Sequence, residues 1–187
     1  MNRISDTIYA DHRELKLYYD QIIHSEDADE QTRWQNQFTW ELARHVVGEE
    51  LVLYPALNKY LHQDVAEDRQ QHQTIKEELA VFQDLKATDP RFIPTLAVLM
   101  GDLAIHVNHE EVDLINLESS ITGEQSRRLA ASFDRTKHFV PTRAHPSAPD
   151  RPPYQTVVGL ITAPLDHLQD LFRKWPESDE IVPGTLE

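Results

Sequence analysis

Apolar residues recur at three- and four-residue intervals along most of the chain and rarely alternate with polar ones, so the sequence predicts helices rather than sheet. Ile4, Ile8, Leu15, Tyr19, Ile22 and Ile23 fall near one face of a first helix over about 3–24. The acidic run "SEDADEQ" breaks the pattern. A second helix follows over about 30–61, with Trp34, Phe38, Leu42, His45 and Glu49 at helical spacing. Pro55, in "LYPAL", has no backbone donor and predicts a kink within it. Asp64 and Glu67 have the spacing of a capping box and open a third helix over about 65–87. In "TDPRF", Asp89 stands as a cap and Pro90 at the first position of a fourth helix over about 90–120.

Four such helices with short connections predict an all-α, up-down-up-down four-helix bundle over residues 1–120. Thr122 and Gln125 then signal a fifth helix ending near Phe139. Residues 141–153 ("PTRAHPSAPDRPP") carry five prolines and read as an extended connector. A last amphipathic helix, over about 154–174, is interrupted by Pro164. Residues 121–187 are therefore expected to form a C-terminal helical extension packed on the bundle.

Composition narrows the function. The 187 residues are 40% hydrophobic and 27% charged, which suits one domain with a real core. The net charge of −14, with no Lys/Arg cluster to offset it, argues against nucleic acid and anionic membranes as partners. Cysteine is absent, which excludes disulfides, thiol nucleophiles and thiolate-held metals. No segment approaches the ~20 apolar residues of a membrane span, and "MNRISDTIYADHREL" has no apolar run like a secretory signal. A cytoplasmic location is the expectation.

The candidate chemistry lies in two matching stretches. "RHVVGEE" places His45 four residues before Glu49, and "IHVNHEE" places His106 four residues before Glu110. Residues four apart share a helix face. Residues five apart diverge by about 140°, so Glu49 and Glu110 are expected to point inward, with Glu50 and Glu111 solvated or supporting. His12 precedes His45 by 33 residues and His72 precedes His106 by 34, so the helix pairs resemble two copies of one hairpin. Any single pair would ordinarily be a core histidine and a surface charge. Four imidazoles and two carboxylates buried together are costly unless they are fully paired or hold a metal. Such a set exceeds one tetrahedral zinc site and suits two first-row ions, iron being the usual occupant. His24, His62, His138, His145 and His167 lack the pattern and are expected at the surface. His109 and Lys76 are expected to be solvated, with a place beside the site as the alternative for each.

"ADHREL", "HVVGEE" followed by "LYPAL", the His72 of "RQQHQTIKEEL", and "HVNHEE" together resemble a hemerythrin-like, cation-binding HHE domain, over about residues 4–118. The resemblance implies a bundle holding two iron ions with an oxo or hydroxo bridge. His12 and His45 would bind one iron and His72 and His106 the other, with Glu49 and Glu110 bridging. It also implies dioxygen or hydrogen peroxide as the small ligand. The oxygen-carrying members have a second histidine four residues after the first on their third helix, where this chain has Lys76. Their fourth-helix carboxylate is an Asp five residues after its His, whereas here Glu occupies both the fourth and fifth positions. Two imidazoles per iron would leave an open position on each. That favours peroxide decomposition or transient O₂ binding; the alternative is an iron- or oxygen-responsive regulatory module without turnover, its redox or protein partner unspecified.

Overall fold

The structure is a computed structural model that describes residues 2–146, 154–178 and 180–181, with the backbone alone over 154–161. Its described elements are α1 (Ile4–His24), α2 (Ala28–Gly48), a π-helical turn (Glu49–Leu53), α3 (Tyr54–Leu61), α4 (Ala66–Asp84), α5 (Phe92–Ser120), α6 (Gly123–Lys137) and α7 (Tyr154–Asp170). The fold is the expected all-helical bundle with added helices, and no strand occurs among the described residues. No described helix is long and apolar enough to cross a membrane.

Most ends follow from local chemistry. The Asp27 carboxylate accepts the Asp29 N–H at 2.7 Å to start α2. Thr122 and Gln125 form the expected reciprocal cap of α6, at 3.2 and 2.8 Å. Three expectations are corrected. Asp64 and Glu67 form no capping box; the Asp64 carboxylate accepts the Ala66 N–H at 3.0 Å in the turn ahead of α4. Asp89 and Pro90 form a turn in which the Asp89 carboxylate accepts the Arg91 N–H at 2.9 Å, so α5 begins at Phe92. The helix expected over 30–61 is split by the π-turn, whose defining bond runs from the Tyr54 N–H to the Glu49 carbonyl. Pro55 follows at once; its missing N–H and its ring prevent an unbroken α-helical ladder there.

Cross-helix contacts show four antiparallel neighbours. Tyr18 stacks on Trp34 between α1 and α2, and Phe82 lies against Phe92 between α4 and α5. Ser5 reaches Glu118 between α1 and α5, and the Gln35 amide donates to the Phe82 carbonyl between α2 and α4. Two apolar clusters fill the bundle. One gathers Leu15, Tyr18, Trp34, Phe38, Phe82 and Phe92 with their neighbours. The other gathers Ile4, Ile8, Leu53, Leu57, Leu114 and Phe133. Between the two clusters along α1 and α5 lie His12, His106 and Glu110, Glu49 follows the last first-cluster residue of α2, Val46, and His45 stands beside Val46. α6 packs against α1, α2 and the π-turn. Its Phe133 lies over Gly48, where a Cβ would meet the ring at 2.9 Å. The close approach of α6 therefore requires the glycine.

Candidate metal centre

The polar layer is walled off by both apolar clusters. His45, Glu49, Glu50 and His72 are fully buried, and His12, the most accessible of the six candidate residues, is only 9% exposed. The structure brings all six together. His12, His45, Glu49 and Glu110 form one group of converging ligand atoms, and Glu49, His72 and His106 a second. Glu49 joins them: its Oε1 lies 2.8 Å from His45 Nε2, and its Oε2 lies 3.2 Å from His72 Nε2 and 3.8 Å from His106 Nε2. Glu110 Oε2 lies 3.2 Å from His12 Nε2, in the first group.

These contacts are close without being hydrogen bonds. Both ring nitrogens of His12, Nε2 of His45 and all four carboxylate oxygens of Glu49 and Glu110 are buried without a hydrogen-bond partner. Buried polar atoms are ordinarily satisfied. In the first group, lone pairs that converge but do not bond to one another are the donor set of a cation, and imidazole with carboxylate suits first-row metals; in the second, His72 Nε2 and His106 Nε2 lie 2.9 Å apart and face each other beside Glu49. The charges point the same way. Burial raises the pKa of the Glu49 carboxyl, but the facing imidazoles of His45, His106 and His72 outweigh it and hold the group well below the ordinary range. Burial, together with the charge of Glu49, pushes the Glu110 carboxyl up. A cation between the two carboxylates removes this conflict.

Each of three imidazoles turns its other nitrogen to an outer partner. Asp11 Oδ2 lies 3.1 Å from His45 Nδ1, Glu50 Oε1 lies 3.3 Å from His72 Nδ1, and Gln71 Oε1 lies 3.0 Å from His106 Nδ1. Such partners fix ring orientation and tautomer in metal sites. The Asp11 carboxylate is held in turn by the Lys137 ammonium at 2.6 Å, from the last turn of α6. Lys137 also pairs with Glu41, which receives Arg44 at 2.6 Å. Burial alone would raise the pKa of Asp11; His45 and Lys137 instead bring it below the usual carboxylate value.

Several of these groups escaped the sequence reading. Glu50 is buried because the π-turn adds a residue and brings positions 49 and 50 both inward. Lys76 is buried too, against the expectation of solvation, with its ammonium 2.9 Å from Glu50 Oε1. Its ammonium is thus held by a carboxylate instead of lying in solvent. Tyr54 stacks on His72, with its hydroxyl 2.8 Å from His72 Nε2. Its spacing of five from Glu49 places it on the inward face only because that turn is π-helical. Glu111 is half-exposed, 3.7 Å from His12 Nδ1, and His109 is exposed with Gln71 on its ring at 3.2 Å. His24, His62 and His138 are exposed, whereas His145 and His167 are half-buried, His145 against Asp166 at 2.9 Å. A cavity of ≈ 440 Å³ between α1 and α5 has His12 and Glu111 in a wall otherwise rich in apolar side chains.

A helical bundle with a buried layer of converging imidazoles and carboxylates defines a metal-binding bundle protein. The chain matches the model of the hemerythrin HHE cation-binding domain over residues 3–117, and it belongs to that family. It is 51% identical over 181 residues to an uncharacterized hemerythrin-like protein of Schizosaccharomyces pombe (strain 972 / ATCC 24843), covering 94% of this chain and 89% of that one. It is also 24% identical over 142 residues to a DNA nickase of Nostoc sp. (strain PCC 7120 / SAG 25.82 / UTEX 2576), covering 75% of this chain and 40% of that one. No solved structure gives a significant match. The matched domain ends before α6, so Phe133 and Lys137 reach the centre from outside it.

Proposed function

We propose that the chain is a non-haem di-iron protein that binds or reacts with dioxygen or hydrogen peroxide. The observation that carries this reading is the position of Glu49. Its two oxygens face two separate imidazole groups, His45 at 2.8 Å and His72 at 3.2 Å, as a bridging carboxylate between two ions requires. His12 and His45 would hold one ion, His72 and His106 the other, with Glu110 as the second carboxylate. The bridged pair of iron ions, when bound, supplies Lewis acidity and electrons for exchange with the oxidant.

The chain's own residues supply the rest. Asp11, Glu50 and Gln71 orient the imidazoles through their outer nitrogens. With Lys76 paired to Glu50, the candidate ligands are four imidazoles and two carboxylates, a set that would leave room for a small ligand on each ion. The apolar clusters exclude bulk water. The cavity beside His12 is a route for a small neutral molecule. The acidic, cysteine-free chain suits a reducing cytosol, and its charge of −14 disfavours DNA, so the activity named for the Nostoc relative is not carried over.

The test is O₂ evolution from hydrogen peroxide, together with the near-ultraviolet absorption response to O₂, on the iron-loaded chain. Turnover or a reversible spectral response that disappears in His106→Ala supports the reading. Neither signal, with iron-dependent protection from proteolysis instead, would replace it with a regulatory role.

A further inference from the structure

At the opposite end of the bundle core from Ile4 and Leu117, near Leu85, lies a cavity of ≈ 480 Å³. It opens between the first half of α2, the turn after α4 and the C-terminal segment. Lys86, Arg143, Arg173 and Lys174 are in its wall, and no carboxylate is. This is an unusual concentration in a chain with 18 basic and 32 acidic residues. Two of the four charges are already answered. Lys174 pairs with Asp29, and Arg173 with Asp170 at 3.4 Å.

Lys86 and Arg143 are not answered. Lys86 is exposed, as an unpaired lysine ordinarily is. Arg143 is the exception, being only 8% exposed while forming no hydrogen bond and no ion pair with any described residue. Three carboxylates, Asp170, Asp84 and Asp166, act on it through space without a hydrogen bond or ion pair, Asp84 from the exposed end of α4. Asp170 accepts the Thr142 hydroxyl at 2.7 Å and Asp166 faces His145 at 2.9 Å. Burial, aided by the Arg173 guanidinium, lowers the Arg143 pKa to about 10, which still leaves it cationic at neutral pH. A guanidinium carries five N–H donors in a fixed fork. The residue is largely covered, yet its nitrogens are not among the buried unpartnered atoms, so the fork keeps solvent contact in the cavity wall with its donors free for an acceptor that enters there.

We propose that this cavity is a binding site for a small organic oxyanion, whose phosphate or carboxylate group is received by the Arg143 guanidinium. The planar fork accepts two oxygens of either group side by side. Lys86 adds charge at the mouth, and Arg173 lies beside it. The volume falls within the roughly 300–1,000 Å³ of small-molecule sites and leaves room for a body attached to the anionic group. The site lies apart from the metal layer: Gln35 and Asn36 in its wall precede His45 by more than two turns of α2.

The test is calorimetric titration of the full iron-loaded chain with inorganic phosphate, glycerol 3-phosphate and succinate, and with chloride as control. Saturable one-to-one binding of an oxyanion is expected, weakened about tenfold or more in Arg143→Gln. Preference for the phosphates or for succinate identifies the anionic group. The ligand-free Arg143→Gln chain is expected to melt no lower than the wild type, since it loses a guanidinium that bonds to no described residue, whereas a purely structural arginine would lower the melting point. If Arg143→Gln does not fold, Lys86→Glu decides, because a carboxylate at the mouth must weaken binding. No binding by any of the three anions, or equal binding by the folded variant, overturns the proposal.

Discussion

Asp11→Asn isolates the outer support of one imidazole. The substitution keeps an oxygen for the His45 Nδ1–H, now 3.1 Å from Asp11 Oδ2, and removes only the negative charge behind the ring. Loss of such a partner typically costs about 10–100-fold in metal affinity, or about 1.4–2.8 kcal/mol. The fold should suffer less than the ~3–5 kcal/mol of a broken buried pair, because Lys137 retains Glu41. A loss of about 1–2 kcal/mol would lower the melting point of the metal-free chain by roughly 2–8 °C. The assay is anaerobic titration of iron(II) against a competing chelator, paired with thermal melts of the metal-free chain. An affinity at least tenfold below wild type is expected. Affinity within threefold of wild type, with a lowered melting point, would refute the orienting role and leave Asp11 as a packing residue of the Lys137 pair.

Lys76→Met removes the ammonium 2.9 Å from Glu50; it should destabilise the chain by about 3 kcal/mol, the low end for a broken buried pair because His72 remains beside Glu50, as read by denaturant titration. Gly48→Val should cost about 1–3 kcal/mol by overpacking against the fully buried Phe133 ring. Because it displaces the helix that carries Lys137, it should also weaken iron retention, measured in the same chelator competition. Glu78 tests pH dependence: burial, with the hydrogen bond and charge of Asp102, raises its carboxyl from 4.5 to about 7. A folded-state pKa above the unfolded one means stability is full below pH 4.5 and is lost as pH rises through 7. Glu78→Gln should therefore stabilise the chain at pH 8 and leave it unchanged near pH 4.5, by less than ~1 kcal/mol because the group is mostly solvent-screened.

The helical spacing of His45 with Glu49 and of His106 with Glu110 was legible because it depends on local geometry alone, and His12 and His72 followed from the repeat. The π-turn was not legible. Five-residue hydrogen bonding leaves no periodic trace in so short a stretch, so α-helical arithmetic set Glu50 apart from the inward face and gave Tyr54 no role. The one available signal was Pro55, which marks where the ladder must change but not how. Asp11 and Lys137 lie 126 residues apart, and only the packing of α6 on α1 and α2 makes them partners. Lys76 was misjudged because lysine is seldom buried without a counter-charge, and that counter-charge was the displaced Glu50. The start of α5 shifted because the Asp89 carboxylate closes a turn on Arg91 instead of capping the helix at Pro90.

The central claim is that Glu49 joins two metal-binding groups into one centre. Iron per chain, measured by inductively coupled plasma mass spectrometry after anaerobic loading and desalting, tests it most directly when wild type and Glu49→Ala are compared. The account predicts two ions per wild-type chain and loss of both in the variant, with the helical circular dichroism signal retained. One ion per wild-type chain, or two ions undiminished in Glu49→Ala, would contradict it.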